Sequence, residues 1–167
     1  MSNLDFEAFF ADDHPRLVGF LIRLGYPLAI AEESAAETMF KAHKKWAVIE
    51  HPKAWVRKVA SREAMNQSIR ETEDRRRSAE SSWLLHETGD DSTGSVDAQL
   101  LRDQLLQSLP GDRQREIMAW TFDGFEPTEI ANALGIEPES ARSSLRYARA
   151  KIKKRWDQLN QHTEGGA

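Results

Sequence analysis

Pro127-Thr128-Glu129-Ile130-Ala131-Asn132-Ala133-Leu134-Gly135-Ile136-Glu137-Pro138-Glu139-Ser140-Ala141-Arg142-Ser143-Ser144-Leu145-Arg146-Tyr147 is the stretch that decides the fold. Pro127 suits the first turn of a helix, where a backbone N–H would have no intrahelical partner to lose. Ile130, Ala131 and Leu134 then form one apolar face, and Gly135 follows where a helix ends best on a left-handed residue. Ile136 tucks into the turn, and Pro138 can begin a second helix. Ala141, Leu145, Ala148 and Ile152 recur at spacings of four, three and four, which makes one buried stripe. Ala131 is small where two helices must cross closely. Together these features predict a helix–turn–helix.

The second helix has an outward stripe as well. Arg142, Arg146, Arg149 and Lys153 repeat the same spacing, and Glu139, Ser140 and Ser143 sit near its N-terminal end. In helix–turn–helix proteins that end enters the major groove. Arginine can read guanine with two hydrogen bonds, and further basic groups grip phosphate. A solvated basic face on an ordinary bundle would carry the same charges. The turn glycine, the small Ala131 and the basic stripe in combination favour DNA binding.

Working outward, helical periodicity continues and strand signals are nearly absent. Helices are expected at 4–24, 28–47, 52–70, 97–108, 112–122, 127–134 and 138–157. The stretch Glu71 to Val96 differs: it is rich in Glu, Asp, Ser, Arg and Gly, the composition of a linker. Its apolar island, Trp83-Leu84-Leu85, suits either a short helix folded back on a domain or a segment that docks on a partner. The reading is all-α, with two small helical domains joined by a flexible acidic linker. The domains fall at 1–70 and 100–160, the linker at 71–99 and a disordered tail at 161–167.

The charge follows the same division. The net charge is −4 over 167 residues, yet residues 71–108 alone carry four basic and nine acidic groups. Between Arg142 and Arg155 lie seven basic residues and no acid, and between Lys41 and Arg70 eight basic residues face only Glu50 and Glu63. Local fields of this kind matter more to DNA binding than the total.

Several function classes find no support. There is no cysteine, so disulfides and thiolate zinc sites are excluded. His14, His43, His51, His86 and His162 are scattered, and no phosphate loop, dinucleotide fingerprint or nucleophile elbow occurs. No cofactor or metal and no enzymatic activity are expected. Met1 to Phe10 lacks the basic start of a secretory signal, and Leu17 to Ala31 is too short and broken to span a bilayer. A cytoplasmic protein with no membrane partner is expected.

Three groups of residues carry a family resemblance. The first is Leu109-Pro110-Gly111-Asp112-Arg113-Gln114-Arg115-Glu116-Ile117, followed by Glu129-Ile130-Ala131, Leu134-Gly135-Ile136 and Leu145-Arg146-Tyr147-Ala148-Arg149. It resembles region four of bacterial sigma factors of the extracytoplasmic-function (ECF) class. Ala31-Glu32-Glu33-Ser34-Ala35-Ala36-Glu37-Thr38-Met39-Phe40-Lys41-Ala42 resembles region two, and Pro52-Lys53-Ala54-Trp55-Val56 resembles the family's Pro-x-Ala-Trp-Leu segment. The resemblance covers about residues 5–70 and 100–157. It implies an alternative sigma factor that binds core RNA polymerase and directs promoter recognition and transcription initiation.

The same resemblance assigns the sites. Glu139, Ser140, Arg142, Ser143, Arg146, Arg149 and Lys153 would meet the minus-thirty-five element, with the β flap of polymerase bound by the same domain. Glu33, Ala36, Glu37, Phe40 and Lys41 would dock on the clamp coiled coil of the β′ subunit. Val48, Ile49, Glu50 and His51 fall where the family holds a flipped minus-ten base, and Arg57, Lys58, Arg62, Asn66 and Arg70 would track the opened strand. An anti-sigma factor or an activator is a further possible partner.

This chain departs from the family pattern in places. Arg62 stands for the usual Asn, Asn66 for the usual Asp, Ser34-Ala35-Ala36 for Leu-Val-Gln, Ala141 for Val and Tyr147 for Arg. The changes at 34–36, 62 and 66 bear on the coiled-coil contact and the minus-ten pocket, and those at 141 and 147 leave the fold intact but bear on which bases are read. Two other readings stay open: a dimeric helix–turn–helix regulator that acts without polymerase, and a protein–protein adaptor on the sigma fold.

Overall fold

The structure is a computed structural model that describes residues 3–81, 109 and 111–164. Every regular element among them is helical. In chain order these are α1 (Asn3–Arg23), α2 (Leu28–Lys44), a 3₁₀ turn (Trp46–Val48), α3 (Pro52–Ser81), α4 (Asp112–Phe122), α5 (Pro127–Leu134) and α6 (Pro138–Glu164). They form two compact units, the first on α1 to α3 and the second on α4 to α6. The helix expected at 97–108, the apolar island at 83–85 and the last three residues lie outside the described residues.

In the first unit α2 packs along α3. The buried residues of α2 are Ile30, Ala31, Ser34, Ala35, Thr38, Met39 and Ala42, a repeat that keeps one narrow face inward. Small residues dominate it, and α3 answers with the buried Val56, Ala60 and Ala64 at steps of four. Small side chains on both sides let two helix axes approach closely. Leu17, Phe20 and Leu21 of α1 complete the core, while Phe6 and Phe9 pack on Trp46 with ring centroids 5.2 and 4.9 Å away.

One polar contact runs through this core. Arg57 of α3 donates to both carboxylate oxygens of Asp13 of α1, at 2.9 and 3.1 Å, and to the backbone carbonyl of Lys53 at 2.9 Å. Both side chains are almost fully buried. A bidentate guanidinium–carboxylate pair with an extra acceptor is the geometry that makes a buried charge tolerable.

Helix α3 overruns its expected end at residue 70 by eleven residues. The linker expected from 71 therefore does not begin there. No glycine or proline occurs between Lys53 and Thr88, and Glu71–Arg75 and Asp74–Arg77 pair along the helix at 4.0 and 3.9 Å. Thr72 donates to the Ser68 carbonyl at 2.8 Å. Glu, Arg and Ala are good helix formers, and such pairs support an exposed helix. Residues 72–79 are all exposed. The composition of a charged linker is also that of a solvated helix, so it could not mark the boundary.

The second unit is a three-helix arrangement in which α6 packs on both α4 and α5. Its core holds Ile117, Met118, Ala119 and Trp120 of α4, Ile130 and Ala131 of α5, and Ala141, Leu145 and Ala148 of α6. Helix α5 begins with Pro127 at its first position and a reciprocal cap in which the Glu126 N–H donates to the Glu129 carboxylate at 2.8 Å. It ends on Gly135 at φ 65°, ψ 38°, and the Ile136 N–H closes back on the Ala131 carbonyl at 3.0 Å. The predicted turn is present, and Gly135 occupies the left-handed conformation that a side chain would disfavour.

Candidate nucleic-acid interface

Helix α6 carries two adjacent stripes, one residue apart in phase. Ala141, Leu145 and Ala148 are buried, while Arg142, Arg146, Arg149 and Lys153 are exposed, as are Glu139, Ser140 and Ser143. The packing of α6 on α4 and α5 thus turns all seven predicted residues outward. Arg142, Arg146 and Arg149 rim a shallow groove floored by Pro127 and Leu145. Three guanidiniums over an apolar floor suit a surface that meets both phosphate and base edges.

Not all of these groups are equally available. Arg142 donates to Glu139 at 3.3 Å, and Lys153 donates to Asp157 at 3.1 Å. The Ser143 hydroxyl donates to the Ser140 carbonyl at 3.2 Å. Tyr147, half exposed, has the Lys151 ammonium 5.4 Å from its ring centroid.

In the first unit the structure separates the predicted minus-ten set. Lys58, Arg62, Asn66 and Arg70 lie at steps of four and are all exposed, forming one polar ladder along α3. Val48, Glu50 and His51 are exposed in the preceding loop, with Val48 at 76%. Two residues do not belong with them. Arg57 is buried in the pair with Asp13 and cannot reach a nucleic acid. Ile49 is only 4% exposed and anchors the loop in the core, leaving Val48 as the outward apolar side chain.

The predicted polymerase face lies on the exposed side of α2. Glu33, Ala36, Glu37 and Phe40 are exposed, and Lys41 is partly so. Phe40 is 54% exposed, unusual for a phenyl ring, and the Lys44 ammonium sits 4.0 Å from its centroid. Lys41 donates to Glu63 of α3 at 2.6 Å and lies 3.6 Å from Glu37. The Glu63 hydrogen bond raises the Lys41 pKa above its ordinary value, against the opposing effect of burial.

Sequence reasoning did not name several residues that share these faces. Met65 and Ile69 are half exposed on α3, beside the ladder, and Glu63 and Gln67 tie α3 to α2. The spacing of four between Glu63 and Gln67 was a usable signal, since it marks a shared helix edge. Among the described residues no group of carboxylates and imidazoles is placed to hold a metal ion, and no helix is long and apolar enough to cross a membrane.

The family model for ECF sigma factors matches residues 39–158. The chain belongs to the ECF sigma factor family. The family is one of transcription factors that are not enzymes. Solved structures share the fold. One is the sigma factor RpoE in complex with the anti-sigma factor NepR from Bartonella quintana: it is 22% identical, matches with a TM-score of 0.67, and the match covers 90% of this chain and 95% of that one. Another is CnrH in complex with the cytosolic domain of CnrY: it is 15% identical, with a TM-score of 0.65 and coverage of 94% and 90%. A comparison with curated proteins finds no match.

Proposed function

We propose that this ECF sigma factor docks on core RNA polymerase through the exposed face of α2 and directs it to promoters read by two separate surfaces. The observation that carries the reading is the outward stripe of α6, where Arg142, Arg146 and Arg149 rim a groove that runs beside the buried stripe. Glu139, Ser140 and Ser143 stand at the N-terminal end of the same helix, where base edges are met. In the first unit, Val48, Glu50 and His51 would border the flipped minus-ten base, and the ladder Lys58, Arg62, Asn66 and Arg70 would follow the opened strand.

The mechanism is recruitment. The protein supplies no reacting group; bond formation belongs to the polymerase. Each unit is small, and the chain is net negative, so its affinity for duplex DNA alone should be weak. Two weak contacts linked through one polymerase gain by effective concentration. Anti-sigma control fits the same surfaces, because a partner that covers Phe40 and its neighbours would compete with polymerase for α2.

The test is co-elution of the full chain with purified core RNA polymerase, followed by transcription from a library of genomic fragments. Stable co-elution with new start sites is the expected result. Co-elution without transcription would favour an adaptor. No co-elution, with tight duplex binding by the protein alone, would overturn the proposal in favour of a dimeric regulator.

A further inference from the structure

The exposed α2 residues proposed to meet polymerase are tied to the neighbouring helix. Gln67 of α3 reaches across with its side-chain amide and uses both ends. Its nitrogen donates to the Glu33 carboxylate, and its oxygen accepts from the Ser34 hydroxyl at 3.1 Å. Two turns along α2, Lys41 donates to Glu63 of α3 at 2.6 Å while Glu37 flanks it at 3.6 Å. A groove between the two helices runs past Glu33, Glu37, Lys41, Glu63 and Gln67. Two charged groups of the docking face are therefore held by α3, the helix that also carries the Arg62–Asn66–Arg70 ladder.

Long side chains on a helix surface sample many rotamers, and a partner that uses them must freeze them on binding. Holding them beforehand removes that entropic cost from the docking step. The geometry points to Glu63 and Gln67 as positioning residues for polymerase binding: they fix the Lys41 ammonium and the Glu33 carboxylate where a docking helix meets them. The Ser34 hydroxyl anchors Gln67 in turn. Ser34 is itself buried, so this anchor is rigid. The inference rests on the proposed polymerase contact of α2.

The experiment is a titration of purified core RNA polymerase with the full chain labelled with a fluorophore. Four proteins are compared: wild type, Gln67→Met, Glu33→Ala and the double variant. Gln67→Met keeps the length of the side chain and the helix preference but removes both hydrogen bonds. It should weaken binding roughly three- to tenfold, the cost of ordering one or two long side chains at the interface. On the Glu33→Ala background the same change should have little further effect, because the group it positions is gone. Glu63→Gln, measured in parallel, should weaken binding by a similar factor through Lys41. A melting curve for each variant separates loss of fold from loss of docking. Unchanged or tighter binding by folded Gln67→Met and Glu63→Gln would overturn the inference, and so would a loss by Gln67→Met that is undiminished in the absence of Glu33. Failure of the wild type itself to bind polymerase would instead sink the docking reading, and the inference with it.

Discussion

Helices α3 and α6 both carry a run of arginine and lysine, and they use it differently. In α6 the arginines at 142, 146 and 149 all face out. In α3, Lys58, Arg62 and Arg70 face out, but Arg57 is buried against Asp13. The apolar stripe alone does not separate the two outcomes; a buried counter-charge does. Each α6 arginine follows a buried Ala141, Leu145 or Ala148 by one position and is opposed by the packing of α4 and α5. Arg57 likewise follows a buried residue, Val56, and precedes buried Ala60 by three, as Arg142 precedes buried Leu145; the difference is that Asp13 of α1 meets the Arg57 guanidinium inside the core. Asp13 stands four before Leu17 and seven before Phe20, on the buried face. Charge and spacing alone do not identify a nucleic-acid contact; whether a buried carboxylate claims the guanidinium decides it.

The largest test of this contrast removes one buried partner. Arg57→Ala or Asp13→Ala should cost about 3–5 kcal/mol of stability, since each leaves an uncompensated charge in the core. Replacing both with apolar residues, as in Asp13→Leu with Arg57→Met, should recover most of that loss. Chemical denaturation monitored by circular dichroism measures both. Arg146→Ala, in the same assay, should change stability by no more than about 0.5 kcal/mol. Should Arg57→Ala prove as mild as Arg146→Ala, the distinction between the two helices collapses.

What could be read in advance divides along the same line. The bounds of α4 and α5 match the expected ones, and the turn between α5 and α6 follows from Pro127, Ala131 and Gly135, because short-range chemistry sets a cap and a turn. The end of α3 was not legible. The residues from Glu71 to Ser81 carry no stop signal, and their charge suits linker and helix alike. In the candidate site, the outward set on α6 was legible from its periodicity. The burial of Ile49 was not, because it depends on how a short loop meets a core built from distant residues. The Asp13–Arg57 pair joins positions 44 residues apart. Each residue's phase was visible, but their meeting was a property of the tertiary fold.

The intermediate effects fall on α6. Arg146→Ala should weaken promoter binding by the polymerase–sigma complex by about 1–3 kcal/mol and relax preference at a single minus-thirty-five position. Lys153→Ala, near the far end of the stripe and already paired with Asp157, should weaken all sequences alike and lower the slope of log affinity against log salt by about one. Filter binding to promoter fragments at several salt concentrations distinguishes these. Equal loss of sequence preference from both variants would show that the stripe grips DNA without reading it.

The smallest effect lies in a partly buried carboxylate of the second unit, whose replacement should stabilise the protein where loss of Asp13 destabilises it. Glu116 of α4 is partly buried, and burial raises its pKa above the ordinary value, more than the Arg113 guanidinium 3.6 Å away lowers it; Asp112 adds to the rise. Unlike Asp13, it lacks a bidentate partner in the described contacts, so its ionised form is favoured less in the folded chain than in the unfolded one. A carboxyl whose folded pKa is raised contributes its stability below the unfolded pKa, and that contribution is lost as pH rises through the folded value. Glu116→Gln should therefore stabilise the protein at neutral pH, by less than about 0.5 kcal/mol. The gain should shrink as pH falls through the folded pKa and vanish below the unfolded value of 4.5. Thermal melts of the two proteins across that range decide the matter. A variant that is less stable than wild type at neutral pH would mean that the Arg113 contact outweighs burial, and that Glu116 is compensated as fully as Asp13.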